Sequence, residues 1–61
     1  MERGDKLQPG TRVELHPATD AWMMGDRFGE VERQAGDVVR VKMDRSGKTR
    51  RVHITNIGKT L

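Results

Sequence analysis

From Val38 to Met43 the chain alternates without a break. Val39, Val41 and Met43 fall on one side, and Val38, Arg40 and Lys42 fall on the other. Successive side chains of an extended chain point to opposite faces, so a period of two gathers the first three on a buried face and the two cations on an open one. A helix would scatter both sets around its circumference. A strand with one wet face belongs in an antiparallel sheet with a one-sided core. The partner follows at once. Asp44-Arg45-Ser46-Gly47 suits a four-residue hairpin loop built on a type I turn, with Gly47 taking a positive φ. Lys48 to Ile54 then returns with Val52 and Ile54 inward and Thr49, Arg51 and His53 outward.

The rest of the chain supplies further strands of the same kind. In Thr11 to His16, Val13 and Leu15 alternate with Arg12, Glu14 and His16, and Pro17 ends the run because proline cannot donate to a ladder. Gly29 to Arg33 reads as a second strand with Val31 inward, followed by a turn at Gln34-Ala35-Gly36-Asp37. Thr55-Asn56-Ile57 reads as a single 3₁₀ turn, and Gly58 to Leu61 as a short last strand. Met1 to Pro9 is polar and aperiodic, and is expected to form a flexible N-terminal tail ahead of one domain over residues 10–61. Between Ala18 and Gly29 lies a long connection holding Trp22, Met23, Met24 and Phe28. It is expected to fold back over an open end of the barrel, the alternative being a short helix over Ala18 to Met24 capped by Thr19 or Asp20.

These elements predict five antiparallel strands near residues 11–16, 29–34, 37–44, 48–54 and 58–61. The expected core is Val13, Leu15, Phe28, Val31, Val39, Val41, Met43, Val52, Ile54 and Ile57. Five strands are too few for a two-sheet sandwich, so the sheet is expected to remove its edges by closing into a barrel. The core must be thin. Leu, Ile, Val and Phe number 12 among 61 residues, and a chain of this size buries only about 60% of its unfolded surface. Cysteine is absent, so neither disulfides nor thiolate–metal sites can reinforce the fold. That absence fits a reducing, cytoplasmic setting. No apolar run exceeds four residues, against the ~20 that cross a bilayer, and nothing reads as a signal peptide or a membrane contact.

The order of elements resembles the SH3-like barrels, and among them the KOW and Tudor-type modules. The likeness rests on Thr11-Arg12-Val13-Glu14-Leu15 as an opening strand, on Gly25, Gly29 and Val31 in Gly-Asp-Arg-Phe-Gly-Glu-Val, and on Val39 to Asp44 as a third strand. It implies an all-β, five-stranded antiparallel SH3-like barrel with one 3₁₀ turn before the last strand. Two ligands of such barrels are disfavoured. A methyl-lysine cage needs several aromatics, and here there are only Trp22 and Phe28; a proline-peptide groove needs tyrosine, and there is none.

Catalysis has little to stand on. His16 and His53 are the only histidines, and neither sits in a nucleophile–base arrangement. The two histidines with Asp20 or Asp26 lack any close ligand spacing for a metal. We therefore expect no enzyme, metal or cofactor. The basic residues say more. Residues 40–59 hold seven cations against the single acid Asp44, a net +6, while the other forty-one residues carry −3. Across the hairpin, Arg40 and Lys42 face the same way as Arg51 and His53, with Arg45 and Lys48 at its tip. Arg50 is expected to face the opposite side. Clustered cations on one face are the electrostatic footprint of a nucleic-acid binder. Hence Arg40, Lys42, Arg45, Lys48, Arg51 and His53 are the expected contacts to DNA or RNA phosphates, with weak sequence specificity. The bland reading is a solvated charged face. Trp22, with Phe28, reads as loop packing, as a platform for a base, or, with Met23 and Met24, as an anchor for a protein partner. That last reading gives a second hypothesis: a protein-interaction module, self-associating or part of a larger assembly, steered to an acidic surface by its basic strands.

Overall fold

The structure is a computed structural model that describes residues 7–61; residues 1–6, the bulk of the expected tail, lie outside the described residues. The five strands form where alternation places them: β1 (Arg12–Leu15), β2 (Phe28–Ala35), β3 (Val38–Met43), β4 (Thr49–His53) and β5 (Ile57–Thr60). All are antiparallel and belong to one sheet in the order β4-β3-β2-β1-β5. The 3₁₀ turn spans Ile54–Asn56, one residue earlier than expected, and His53 caps it.

The all-β architecture is as the sequence predicts, but closure is not. Among the described residues the sheet is not closed into a barrel: β4 pairs only with β3, and β5 only with β1. The pairing lengths give the reason. β5 has four residues, and a register shift between Glu14 and Leu15 already interrupts its ladder with β1, so little backbone is left to bridge to β4. The two edges are short, which limits the unpaired backbone they present.

The connection between β1 and β2 contains one helical turn, α1 (Asp20–Met23), and so takes the helical alternative in shortened form. Thr19 is the N-cap: its Oγ1 accepts the Trp22 backbone N–H at 3.2 Å, satisfying one of the donors a helix start leaves open. Met24 is the C-cap, and Gly25 follows it with φ 98° as the chain leaves the helix. The turn between β2 and β3 is only Gly36-Asp37, because β2 runs on to Ala35. Gly47 has φ 74°, the positive value expected of the β3–β4 loop.

The core holds Val13, Leu15, Ala21, Val31, Val39, Val41, Met43 and Val52, each buried, with Leu7, Trp22, Ile54 and Ile57 packed half-buried against it. Leu7, placed in the tail by sequence, is tied down by its N–H donating to Gln34 Oε1 at 2.8 Å. Phe28 departs from expectation. It is 42% exposed, because Gly29 and Val31 take the inner phase of β2 and leave Phe28 on the outer one, opposite Glu14. Gly29 lies in close contact with β3. A Cβ there would sit 2.5 Å from Val41 Cγ1 and 2.7 Å from the Lys42 carbonyl oxygen, so no side chain fits.

Candidate functional site

The register of the β3–β4 hairpin decides how its cations meet. The Met43 N–H donates to the Lys48 carbonyl at 2.8 Å, and the Ile54 N–H to the Asp37 carbonyl at 2.7 Å. Hydrogen-bonded positions recur every second residue along an antiparallel ladder. Val41–Arg50 and Val39–Val52 are therefore the hydrogen-bonded pairs, on the core side. Val38–His53, Arg40–Arg51 and Lys42–Thr49 are the non-bonded pairs, on the outer face. Non-bonded pairs are the closer kind, with Cα atoms about 4.5 Å apart. Arg40 and Arg51 thus stand opposite one another at the shortest separation a sheet allows.

A third arginine joins them. An uninterrupted alternation from Val31 would send Arg33 inward. The register of β2 against β3 shifts between Val31 and Arg33, however, so that Val31 pairs with Val41 but Arg33 pairs with Arg40. The bulge at Glu32 turns Arg33 onto the outer face and Gln34 toward the core. Arg33, Arg40 and Arg51 form one row across three adjacent strands, around a shallow depression floored by Ala35 and Val38. The sequence reading missed Arg33 because it sits outside the strongly basic segment and because only the bulge exposes it.

Each end of this row has a definite border. Toward the hairpin tip, Lys42 lies between Glu30 on β2 and Thr49 on β4, and Thr49 Oγ1 donates to Glu32 Oε2 at 3.0 Å. Positive and negative groups offset each other there. Toward the Gly36-Asp37 turn, His53 lies opposite Val38 on the same face as Arg51. The Thr55 N–H donates to its Nδ1 at 3.2 Å, so Nε2 is the ring nitrogen left for an incoming group. The ion pairs among the described residues are Arg12–Asp44 and Arg50–Asp26, and neither involves the row.

The cations at the tip have other occupations. Arg50 is in phase with Val52 and half-buried, and its Nε donates to Asp26 Oδ2 at 2.8 Å. Ser46 Oγ donates to the same oxygen at 2.9 Å. Asp26, 2% exposed, is the buried charge among the described residues. Burial alone would push its carboxyl up, but the hydrogen bonds from Arg50 and Ser46 and the charge of Arg50 outweigh that and hold it below its ordinary value. The Arg45 side chain lies across Gly25 and lines a depression with Arg27, Phe28 and Asp44, away from the row. Lys48 is in phase with Arg50 and therefore off the outer face. Of the six expected contacts, the structure brings together Arg40, Arg51 and His53, leaves Lys42 beside acids, and separates Arg45 and Lys48. Arg12 Nη1 donates to Asp44 Oδ1 at 2.9 Å while Nη2 meets Oδ2, a two-pronged contact that lowers the Asp44 pKa.

The aromatic residues stand apart from the row as well. Trp22 is half-buried against the core, with the Arg27 guanidinium 4.7 Å from its ring centroid. Met23 and Met24 are 79% and 69% exposed. Among the described residues no three His, Asp or Glu side chains are grouped to hold a metal, and no helix is long and apolar enough to cross a membrane. No protein-family model, curated protein or solved structure matches the chain.

Proposed function

We propose that this protein is a non-enzymatic nucleic-acid-binding module of the SH3-like, KOW-type kind, working through the outer face of β2, β3 and β4. The observation that carries the reading is the Arg33–Arg40–Arg51 row, three guanidinium groups on adjacent strands with no acidic partner among the described residues. Guanidinium groups present forked donors that match phosphate oxygens, and they keep their charge at any physiological pH. Lys42 and His53 flank the row and extend it along β3 and β4. The contacts are to the backbone of DNA or RNA, so sequence preference is weak. Fluorescence anisotropy with labelled duplex DNA, single-stranded DNA and RNA at low salt is the test. Binding that weakens steeply as salt rises supports the reading, and the absence of binding to all three overturns it.

A second reading has its own observation. Met23, Met24 and Phe28 are exposed at the α1–β2 end, with Arg27 and Arg45 nearby. Such a surface suits docking on a protein partner or a second copy of this chain. Under that reading Met23→Ser with Met24→Ser abolishes the protein contact and leaves nucleic-acid binding unchanged.

A further inference from the structure

Like charges placed directly opposite on neighbouring strands destabilise a sheet. Arg40 and Arg51 occupy the closest kind of cross-strand pair, and Arg33 adds a third charge on the other side of Arg40. Nothing in the fold requires this. The inner faces of these strands make the core, and Thr49 shows that an uncharged β-branched residue is accommodated on the same face of β4. Two ion pairs elsewhere show that the chain does supply acids to arginines, at Arg12 and at Arg50. The acid nearest to the row in sequence, Glu32, is held by Thr49 at the hairpin-tip border of the row and forms no ion pair with any of the three arginines.

We propose that the arginine row is an electrostatically frustrated site for phosphodiester groups, in which an anion bound between Arg40 and Arg51 relieves a repulsion that the free protein carries. This rests on the nucleic-acid reading above and adds a mode to it. The ligand is held by its phosphates alone, because Trp22 is packed against the core under Arg27 and Phe28 lies at the far end of β2. The row offers Ala35 and Val38, and no aromatic ring, between its charges. Base identity and strandedness therefore matter little, whereas backbone charge matters throughout.

The experiment pairs stability with binding in Arg51→Thr, which removes one charge and keeps a side chain suited to a strand, and in Arg51→Lys, which keeps the charge and removes the fork. Melting temperatures are measured at 50 mM and 1 M NaCl, and with saturating duplex DNA at 50 mM. Arg51→Thr is expected to melt about 1–5 °C above wild type at low salt, with the gap closing at 1 M where charges beyond roughly 3 Å are screened. Arg51→Lys is expected to melt like wild type. Duplex DNA is expected to raise the wild-type melting temperature and to raise that of Arg51→Thr much less. If Arg51→Thr melts at or below wild type while DNA binding still falls, the frustration is refuted and the nucleic-acid reading survives. If neither DNA nor RNA binds wild type, both fall together, even where Arg51→Thr is stabilised. If Arg51→Lys gains as much as Arg51→Thr, the effect is not one of charge and the proposal is overturned.

Discussion

At the tip of the β3–β4 hairpin, Arg50 lies 30% exposed with its Nε on a buried carboxylate; one residue further along β4, Arg51 points the other way and faces Arg40. The two arginines are neighbours in sequence and have opposite circumstances. Arg50, with Ser46 and Asp26, ties the hairpin loop to the segment after α1, across 20 and 24 residues of chain. Arg51 belongs to a row of three cations, none of which forms an ion pair among the described residues. Charge counted along a chain is therefore not the charge that its fold presents. Of the seven cations in residues 40–59, Arg50 is spent on structure, Arg45 and Lys48 lie off the outer face, Lys42 sits beside Glu30, and Lys59 lies on β5 opposite Glu14. The positive surface is built from Arg40 and Arg51 with Arg33, a residue outside that segment.

The strongest way to test the contrast is at Asp26. Asp26→Ala removes the partner of a half-buried guanidinium and is expected to cost about 2–3 kcal/mol. In a domain this small that lowers the melting temperature by roughly 10–20 °C, read by circular dichroism. Unchanged melting would show that the tip network is ornamental. Next comes the neighbour pair. Arg50→Ala is expected to cost about 2–3 kcal/mol as well, since it strands a buried carboxylate, whereas Arg51→Ala stays within about 0.5 kcal/mol of wild type or gains. Equal losses in urea titrations of the two variants would erase the distinction between them.

Acid should separate the same two regions. Because the folded state holds the Asp26 pKa below its unfolded value, its contribution is full above the ordinary carboxylate range near 4 and is lost as pH falls through the lower folded value. Asp44 shares that direction through Arg12. Thermal melts between pH 6 and pH 2 should fall on the acid side, and Asp26→Asn should flatten the fall. Both carboxylates of this acid limb lie outside the arginine row. The smallest expected effect is that of Met23→Ser with Met24→Ser on DNA affinity: less than twofold by anisotropy, since neither lies on the outer face of β2–β4.

Alternation made the strands legible, because a period of two states both that a segment is extended and which residues face the core. Val39, Val41 and Met43 are buried in phase, as is Val52 across the hairpin. What alternation cannot report is where it breaks. The bulge at Glu32 reverses the phase of β2, so Arg33 became visible only once β2 was laid against β3. Pairing partners escaped for the same reason. That Arg50 faces away from Arg51 was legible; that Asp26 waits for it was not, since the two are 24 residues apart and Asp26 carries no local sign of burial. Phe28 illustrates the limit of side-chain type. A large apolar residue suggests core, but strand phase overrode it. Barrel closure depends on the reach of the last short strand, which strand propensity does not determine.

The central claim is that the outer face at Arg33, Arg40 and Arg51, and not the hairpin tip, presents the positive surface. Its direct measurement is the salt dependence of duplex DNA affinity for wild type, for Arg33→Ala with Arg40→Ala and Arg51→Ala, and for Arg45→Ala with Lys48→Ala. If each arginine of the row neutralises one phosphate, the wild-type log–log slope is about −2.7. The row variant should bind weakly with a slope near zero, while the tip variant, which loses two charges, should keep the wild-type slope. A slope that flattens in the tip variant and persists in the row variant would contradict the account.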